Sequence, residues 1–353
     1  MVEKNLLIAA IGLDEAGLEL LEAASKIDFF EIVAVADRDA KLVEKTALLY
    51  KCDGYDDFRQ LLIQKQFDCL LVAAGLYSCD EYVRAAMKKG CNILKLEPAA
   101  RNFEEAVELV KLAIENEVKV AVANPTRFAQ SFVDFAQYLR QKPLEQPFLI
   151  DACLHICDAR LPHWYNDPQL SGGGVLLRNC FHLIDQMIIN FSLPEQVYCL
   201  CTNSAADKQQ RVYLTEETAV VTMRFNGALT GTLTASRQKG IGPDEQFMRV
   251  HCREKILTVS HNRLTMTDNT GRILEERQYS YDRALCLAKV LNNFALSILL
   301  PQEHKLKTDA QSNLSAMAVI EAAYLSARTG MPEEPARILQ MIEGLPAFAW
   351  PGH

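Results

Sequence analysis

In the stretch IGLDEAG, the residues Gly12, Asp14 and Gly17 carry the spacing of a dinucleotide-binding turn. The turn joins an apolar run to a helix-period stretch, the setting in which backbone amides at a helix N-terminus face a pyrophosphate. Gly12 and Gly17 fit the first and third glycines of G-x-G-x-x-G, and Asp14 stands at the second, where the backbone must approach phosphate closely. A carboxylate there adds bulk and negative charge, and it can cap the helix in place of an anion. The competing reading is a strand–helix turn that needs only Gly12 for its geometry. The next apolar run ends in AVADRDA, where Asp37 is placed to accept from ribose hydroxyls and Arg38 to lie on an adenine face. That acid favours NAD over NADP; otherwise Asp37 simply starts a turn.

A second candidate constellation is CLHICD, in which Cys153, His155 and Cys157 share one face of a strand. Ligands two apart on a strand stand roughly 7 Å from each other. The segment therefore reads as a core strand, and no metal is expected.

The elements that would position these groups fall into two patterns. NLLIAAI, EIVAVA, DCLLVAA, CNILKL and VKVAVAN are short apolar runs suited to parallel strands covered on both faces. Helix-period stretches separate them, one with Asn102 as N-cap and acids in its first turn. This βαβα order predicts a doubly wound sheet. Beyond about Lys142, KPLEQP reads as a linker, a strand is expected near Phe148 to Cys157, and one helix from Val175 to Phe191. EQVYCLCTN, TAVVTMRFN, GALTGTLTAS and FMRVHCREKILTVS then read as strands of an antiparallel or mixed sheet with one open face. Helices near Ala284–Leu299 and Asp309–Arg328 close the chain.

Composition narrows the function classes. At 353 residues two domains are expected. A net charge of −8 without a basic stripe argues against a nucleic-acid surface. No apolar run reaches membrane-span length, and LLIAAIGL passes into Asp14 and Glu15 with no cleavage pattern, so it reads as a buried strand and not a signal peptide. The eleven cysteines are odd in number and lie in apolar segments, which fits free thiols in a reducing cytoplasm.

Taken in order, IGLDEAG, AVADRDA, YDDFRQLL…FDCLLVAAG, GCNILKLEPAA, VANPTRF and LSGGGVLLRNCFHLID resemble the Gfo/Idh/MocA (glucose–fructose oxidoreductase / inositol dehydrogenase) family along almost the whole chain. The resemblance implies a Rossmann dinucleotide-binding-type domain over 1–124. A C-terminal α+β domain with a large open, mostly antiparallel sheet would follow over 125–353, serving substrate binding and oligomerisation. The final helices could pack back on the N-terminal domain. It also implies NAD(P)-dependent oxidation of a sugar, cyclitol or related polyol, and a homodimer or homotetramer formed through the C-terminal sheet, or an active paralogue as partner.

The departures from the family pattern fall on the chemistry. The Glu-Lys-Pro motif maps to Leu96-Glu97-Pro98, so the lysine is replaced by Glu97. Arg178 and Cys180 stand where an Asp and a Gly are usual, while His182 and Asp185 match. Thr-Pro-Asn becomes Ala74-Gly75-Leu76. Asn124, Arg127, Phe128 and the Trp164 region match, giving Arg127, Trp164 and Asp185 as substrate contacts and Ala74 and Gly75 as cofactor contacts. Glu97 cannot donate as an ammonium, and Arg178 cannot shuttle a proton near neutrality. His182 has the ordinary pKa for acid–base work, unless it is a histidine satisfied in helix packing. Glu97 and Arg178 are opposite in sign and are expected to form an ion pair. Lys95, on the same strand face as Glu97, could return an ammonium from roughly 7 Å away. Three readings follow: an oxidoreductase using His182 with Glu97 and Arg178 as substrate contacts; a non-catalytic ligand-binding or partner subunit; and a lyase or hydrolase reusing Glu97 and His182.

Overall fold

The computed structural model describes residues 5–141, 146–157, 163–205, 214–238 and 241–341. The chain forms two compact units, Met1–Pro125 with Asp282–Asn313, and Thr126–Tyr281 with Leu314–His353. The tail GLPAFAWPGH, with Phe348 and Trp350, and residues 142–145 of the expected linker lie outside the described residues.

The first unit is a six-stranded parallel sheet. Its strands are β1 (Leu6–Ile11), β2 (Phe30–Ala36), β3 (Asp53–Tyr55), β4 (Cys69–Val72), β5 (Asn92–Leu96) and β6 (Val120–Ala123), in the order β3-β2-β1-β4-β5-β6. The connecting helices are α1 (Glu15–Ser25), α2 (Ala40–Tyr50), α3 (Phe58–Gln64), α4 (Leu76–Lys88) and α5 (Phe103–Glu115). The strand order reverses between β1 and β4, which places the carboxyl ends of those strands at the topological switch point of a doubly wound sheet. Central strands are buried along their length, as CLLV in β4, because helices cover both faces. Asn102 caps α5 as expected, accepting from the Glu105 amide at 2.9 Å. The short strand DGY of β3 was not expected. It has no apolar pattern and is held by parallel pairing with Ala34–Ala36 of β2.

The second unit carries α6 (Gln130–Gln141), β7 (Leu149–His155), α7 (Pro168–Ser171), α8 (Val175–Asn179), α9 (Phe181–Phe191), β8 (Gln196–Thr202), β9 (Thr218–Arg224), β10 (Thr230–Ser236), β11 (Glu245–His251), β12 (Lys255–Val259), β13 (Arg263–Asp268) and β14 (Ile273–Gln278). The eight strands run in the order β14-β13-β12-β11-β7-β10-β9-β8. All neighbours are antiparallel except β7 and β10. In β9 the residues Ala219, Val221 and Met223 are buried and alternate with exposed ones, as a sheet with one covered face requires. FMRVHCREKILTVS is two strands, not one, because Arg253 and Glu254 turn the chain between β11 and β12. The final helices are α10 (Arg283–Leu299), α11 (Ala310–Thr329) and α12 (Pro335–Gln340). Helix α10 returns to the first unit and packs on α1, where Arg283 pairs with Glu19. Among the described residues no helix is long and apolar enough to cross a membrane.

The expected helix from Val175 to Phe191 is broken at Cys180. The Cys180 amide bonds Val175 five residues back, and the Leu183 amide bonds Cys180 three residues back, so a wide turn is followed by a tight one. What holds the start of this segment is a buried carboxylate. Glu216 accepts from the Gly174 and Leu176 amides, both at 2.9 Å, and from the Tyr324 hydroxyl at 2.8 Å. A side chain at Gly173 would meet the Tyr324 hydroxyl at 2.1 Å, and one at Gly174 would meet the Glu216 carbonyl oxygen at 1.9 Å. Here glycine is demanded by the approach of the chain to its own fold.

Replacing Tyr324 with Phe leaves the shape and removes one donor from a buried carboxylate. The expected loss is about 1–3 kcal/mol, read as a lower urea midpoint at unchanged slope. An unchanged midpoint would show that Glu216 is satisfied without Tyr324.

Candidate active site

At the switch point, β1 ends at Ile11 and Gly12 takes a positive φ of 84°. A Cβ on Gly12 would meet the Ala74 amide nitrogen at 2.2 Å, and one on Gly17 would meet the Gly12 carbonyl oxygen at 2.0 Å. Gly12 is therefore required by packing of the β1–α1 turn on the β4–α4 turn, and Gly17 by the tightness of its own turn, whether or not phosphate binds. Asp14 caps α1, its Oδ1 accepting from the Gly17 amide at 3.0 Å. It thus occupies an amide that an anion would use. Asp37 is also part of the turn: Oδ2 accepts from the Leu13 amide at 2.7 Å and Oδ1 from the Asp39 amide at 3.0 Å. A carboxylate has about four acceptor sites, so these two bonds leave capacity for ribose hydroxyls. Arg38 is exposed beside it, and Ala74 and Gly75 form the turn that leads into α4. These residues fit the adenosine and glycine-turn contacts of a nicotinamide dinucleotide, with one negative charge too many near its phosphates.

Lys95, in β5, is 3% exposed, and its side chain forms no ion pair among the described residues. Burial pushes the Cys79 thiol up, and the Lys95 charge only partly opposes that shift. Glu97 follows β5 with its Oε2 closed off from solvent. Glu97 belongs to the first unit and Arg178 to the second.

In the second unit, Arg127 and Asp185, expected as separate substrate contacts, pair with each other. Arg127 lies in the turn Pro125–Phe128, and its Nε and Nη2 donate to Asp185 Oδ2 and Oδ1 at 2.8 and 2.5 Å. The pair is buried, with side-chain exposures of 11% and 3%. His182 lies one helical turn before Asp185 on α9, half-buried, with Nε2 closed off from solvent. Burial lowers its pKa to about 4, with a Gln246 hydrogen bond opposing the shift. Its ring is stacked 6.2 Å from that of His261, which in turn stacks at 4.0 Å on Tyr281. Burial, and then the His182 charge, lower His261 to about 4 as well. Nothing in the sequence separates His261 from an ordinary turn histidine; its position comes from the β12–β13 hairpin.

Arg178 lies 5.0 Å from the Trp164 ring and 5.1 Å from the Tyr165 ring, so its neighbours are aromatic faces. On β7, the Cys153 sulfur and His155 Nε2 are 3.4 Å apart, and His155 Nδ1 is 3.9 Å from Glu245 Oε2. The separation expected along the strand overstated the distance, because the side-chain tips lean together. The three offer sulfur, nitrogen and oxygen atoms within 4.8 Å of one another.

With this geometry in hand, comparison with known proteins is specific. Residues 6–124 match the oxidoreductase family with NAD-binding Rossmann fold, and residues 136–258 match a GFO/IDH/MocA C-terminal domain. The chain belongs to the Gfo/Idh/MocA oxidoreductase family. An uncharacterized oxidoreductase of Synechocystis is 25% identical over 191 residues, 52% of this chain, and the alignment spans about half the length of that relative (50%). The fold resembles an oxidoreductase from Agrobacterium radiobacter solved with NAD+, L-tartaric acid and magnesium (TM-score 0.82, 16% identity, 95% of this chain and 100% of that one). It also resembles an inositol dehydrogenase homolog from Azotobacter vinelandii solved with NAD+ (TM-score 0.81, 18% identity, 94% and 98%). A levoglucosan dehydrogenase solved with NADH and levoglucosan is similar to the same degree (TM-score 0.80, 14% identity, 94% and 99%).

Both imidazoles have folded pKa values of about 4, below the ordinary 6.5. Between these values the unfolded chain binds more protons, so stability is full above about pH 6.5 and is lost as pH falls towards about 4. The expected loss is on the order of 2–3 kcal/mol per imidazole. Urea melts across this window should show a shallower pH slope for His261→Gln than for the native protein. Equal slopes would mean that His261 titrates normally in the fold.

Proposed function

We propose that this protein is an NAD-dependent oxidoreductase acting on a hydroxyl group of a sugar, cyclitol or related polyol. The observation that carries this reading is His182: a neutral imidazole on α9, one turn from a carboxylate already neutralised by Arg127. At neutral pH an imidazole with a pKa near 4 is unprotonated but a weak base, so accepting the hydroxyl proton requires that bound substrate and cofactor raise its pKa towards neutrality. When bound, the nicotinamide supplies the acceptor for the hydride. Gly12, Gly17, Ala74 and Gly75 would hold the dinucleotide, and Asp37 its ribose, where a carboxylate disfavours the extra phosphate of NADP. Lys95 is the candidate for the ammonium missing at position 97, since it is buried and forms no ion pair among the described residues. Self-association through the open sheet face belongs to the same proposal; Leu200 and Val220, paired across β8 and β9, stand exposed there.

Asp14 favours a second reading, a non-catalytic ligand-binding or partner subunit, because its carboxylate already caps the amide of Gly17. Calorimetric titration with NADH and NADPH separates the two. The oxidoreductase reading expects micromolar NADH, weaker NADPH, and about tenfold tighter NADH in Asp14→Gly. Glycine retains most of the capping preference, so that variant keeps its fold. Absence of binding by either cofactor at millimolar concentration, in both proteins, would leave the partner-subunit reading.

A further inference from the structure

Among the described residues of the second unit, Arg178 and Arg237 carry charges that no carboxylate neutralises. Arg237, just beyond β10, is only 4% exposed. Its Nη2 donates to Thr215 Oγ1 at 2.8 Å and to Asn166 Oδ1 at 3.4 Å, both neutral groups. Its Nε and Nη1 are buried without a hydrogen-bond partner. The guanidinium carbon lies 4.8 Å from the centroid of Tyr165, the same ring that Arg178 approaches at 5.1 Å. Arg178 is half-buried, and its Nε likewise has no hydrogen-bond partner. Neither arginine forms an ion pair among the described residues. The acids nearest Arg237 along its strand partners are engaged elsewhere: Glu216 on Gly174, Leu176 and Tyr324, and Glu217 on the Ser204 amide.

Two like charges on one aromatic ring repel, and a buried charge without a counter-charge is costly. A ring face returns only part of that cost. The contrast within the unit is direct, since Arg127, comparably buried, is matched by Asp185 in a two-point pair.

We propose that Arg178 receives an anionic group of the substrate, a carboxylate or a phosphate, and that Arg237, beside the same Tyr165 ring, acts as a buried positive charge that strengthens the attraction. Arg178 is the contact because it is the more exposed of the two. The word substrate rests on the oxidoreductase reading; the anion site does not. The polyol would then be a sugar acid or a sugar phosphate, and a neutral cyclitol would bind poorly.

The test is calorimetric titration of the full-length protein, with NADH present and absent, using D-glucuronate, D-gluconate, D-glucose 6-phosphate, D-glucose and myo-inositol. At least one charged ligand should bind about tenfold or more tighter than its neutral counterpart, with the advantage shrinking as salt is raised. The carboxylate and phosphate arms identify the source of the charge. Arg178→Gln should abolish the advantage, whereas Arg178→Lys, which keeps the charge, should retain part of it. Arg237→Gln should weaken it by about threefold or more, through the field alone. Should a Gln variant fail to fold, the native protein still decides: inorganic phosphate should raise its melting temperature above that in chloride of equal ionic strength. Equal affinity for charged and neutral ligands, or an advantage that survives Arg178→Gln, would overturn the proposal. NADH titration of the same samples keeps the two ideas apart. Loss of NADH binding alone would remove the dehydrogenase reading and leave the anion site standing.

Discussion

The second unit is organised around one buried ion pair, Arg127 with Asp185. Each charge is withdrawn from water, and removing either partner would strand the other at a cost of about 3–5 kcal/mol. The two-point geometry fixes α9 against the turn Pro125–Phe128. The pair also stands one helical turn from His182 on α9. Asp185 lies three residues further along the same helix face, where a bare carboxylate would favour the imidazolium. Asp185 is matched by Arg127, and burial holds His182 low against a Gln246 hydrogen bond that opposes the shift. The same segment is anchored at its other end by Glu216, whose carboxylate gathers the amides of the glycine turn.

The glycines show how one residue type can answer two demands. Gly12 and Gly17 are needed because their Cβ atoms would strike backbone atoms, of the β4–α4 turn for Gly12 and of its own turn for Gly17. Gly173 and Gly174 are needed for the same reason against Tyr324 and Glu216. A glycine fingerprint therefore reports the fold first and a phosphate second. The charges around it carry the information about ligands: Asp37 keeps acceptor capacity at the end of β2, while Asp14 competes for the helix amides. Lys95 and Arg237 carry the opposite sign, buried without a carboxylate partner among the described residues.

Much of the fold was legible in the sequence because burial on both faces writes itself as continuous apolar runs, and β1, β2, β4, β5 and β6 all fall on such runs. The N-cap at Asn102 followed from local chemistry. What stayed hidden depends on partners distant in sequence. The strand β3 exists through pairing with β2, and β13 and β14 through a hairpin whose residues alternate weakly. The break at Cys180 follows from turn geometry that helix periodicity cannot express. At the site, the dinucleotide pattern pointed to Asp37 and the family resemblance to His182 and Arg178, but neither gave a sign of their neighbours. Arg127 met Asp185, Asp37 turned back on Leu13, His261 stacked beside His182, and Arg178 lay on Trp164 and Tyr165.

The central claim is that the half-buried, neutral imidazole of His182 serves as a proton acceptor in hydride transfer. Its most direct measurement is the appearance of reduced nicotinamide when the protein is mixed with NAD+ and a panel of polyols, sugar acids and sugar phosphates, in native and His182→Ala forms. The account predicts turnover on at least one compound and a loss of about a hundredfold or more in the variant, with NADH affinity unchanged. Turnover that survives the loss of His182, or NADH binding with no turnover on any member of the panel, would contradict it.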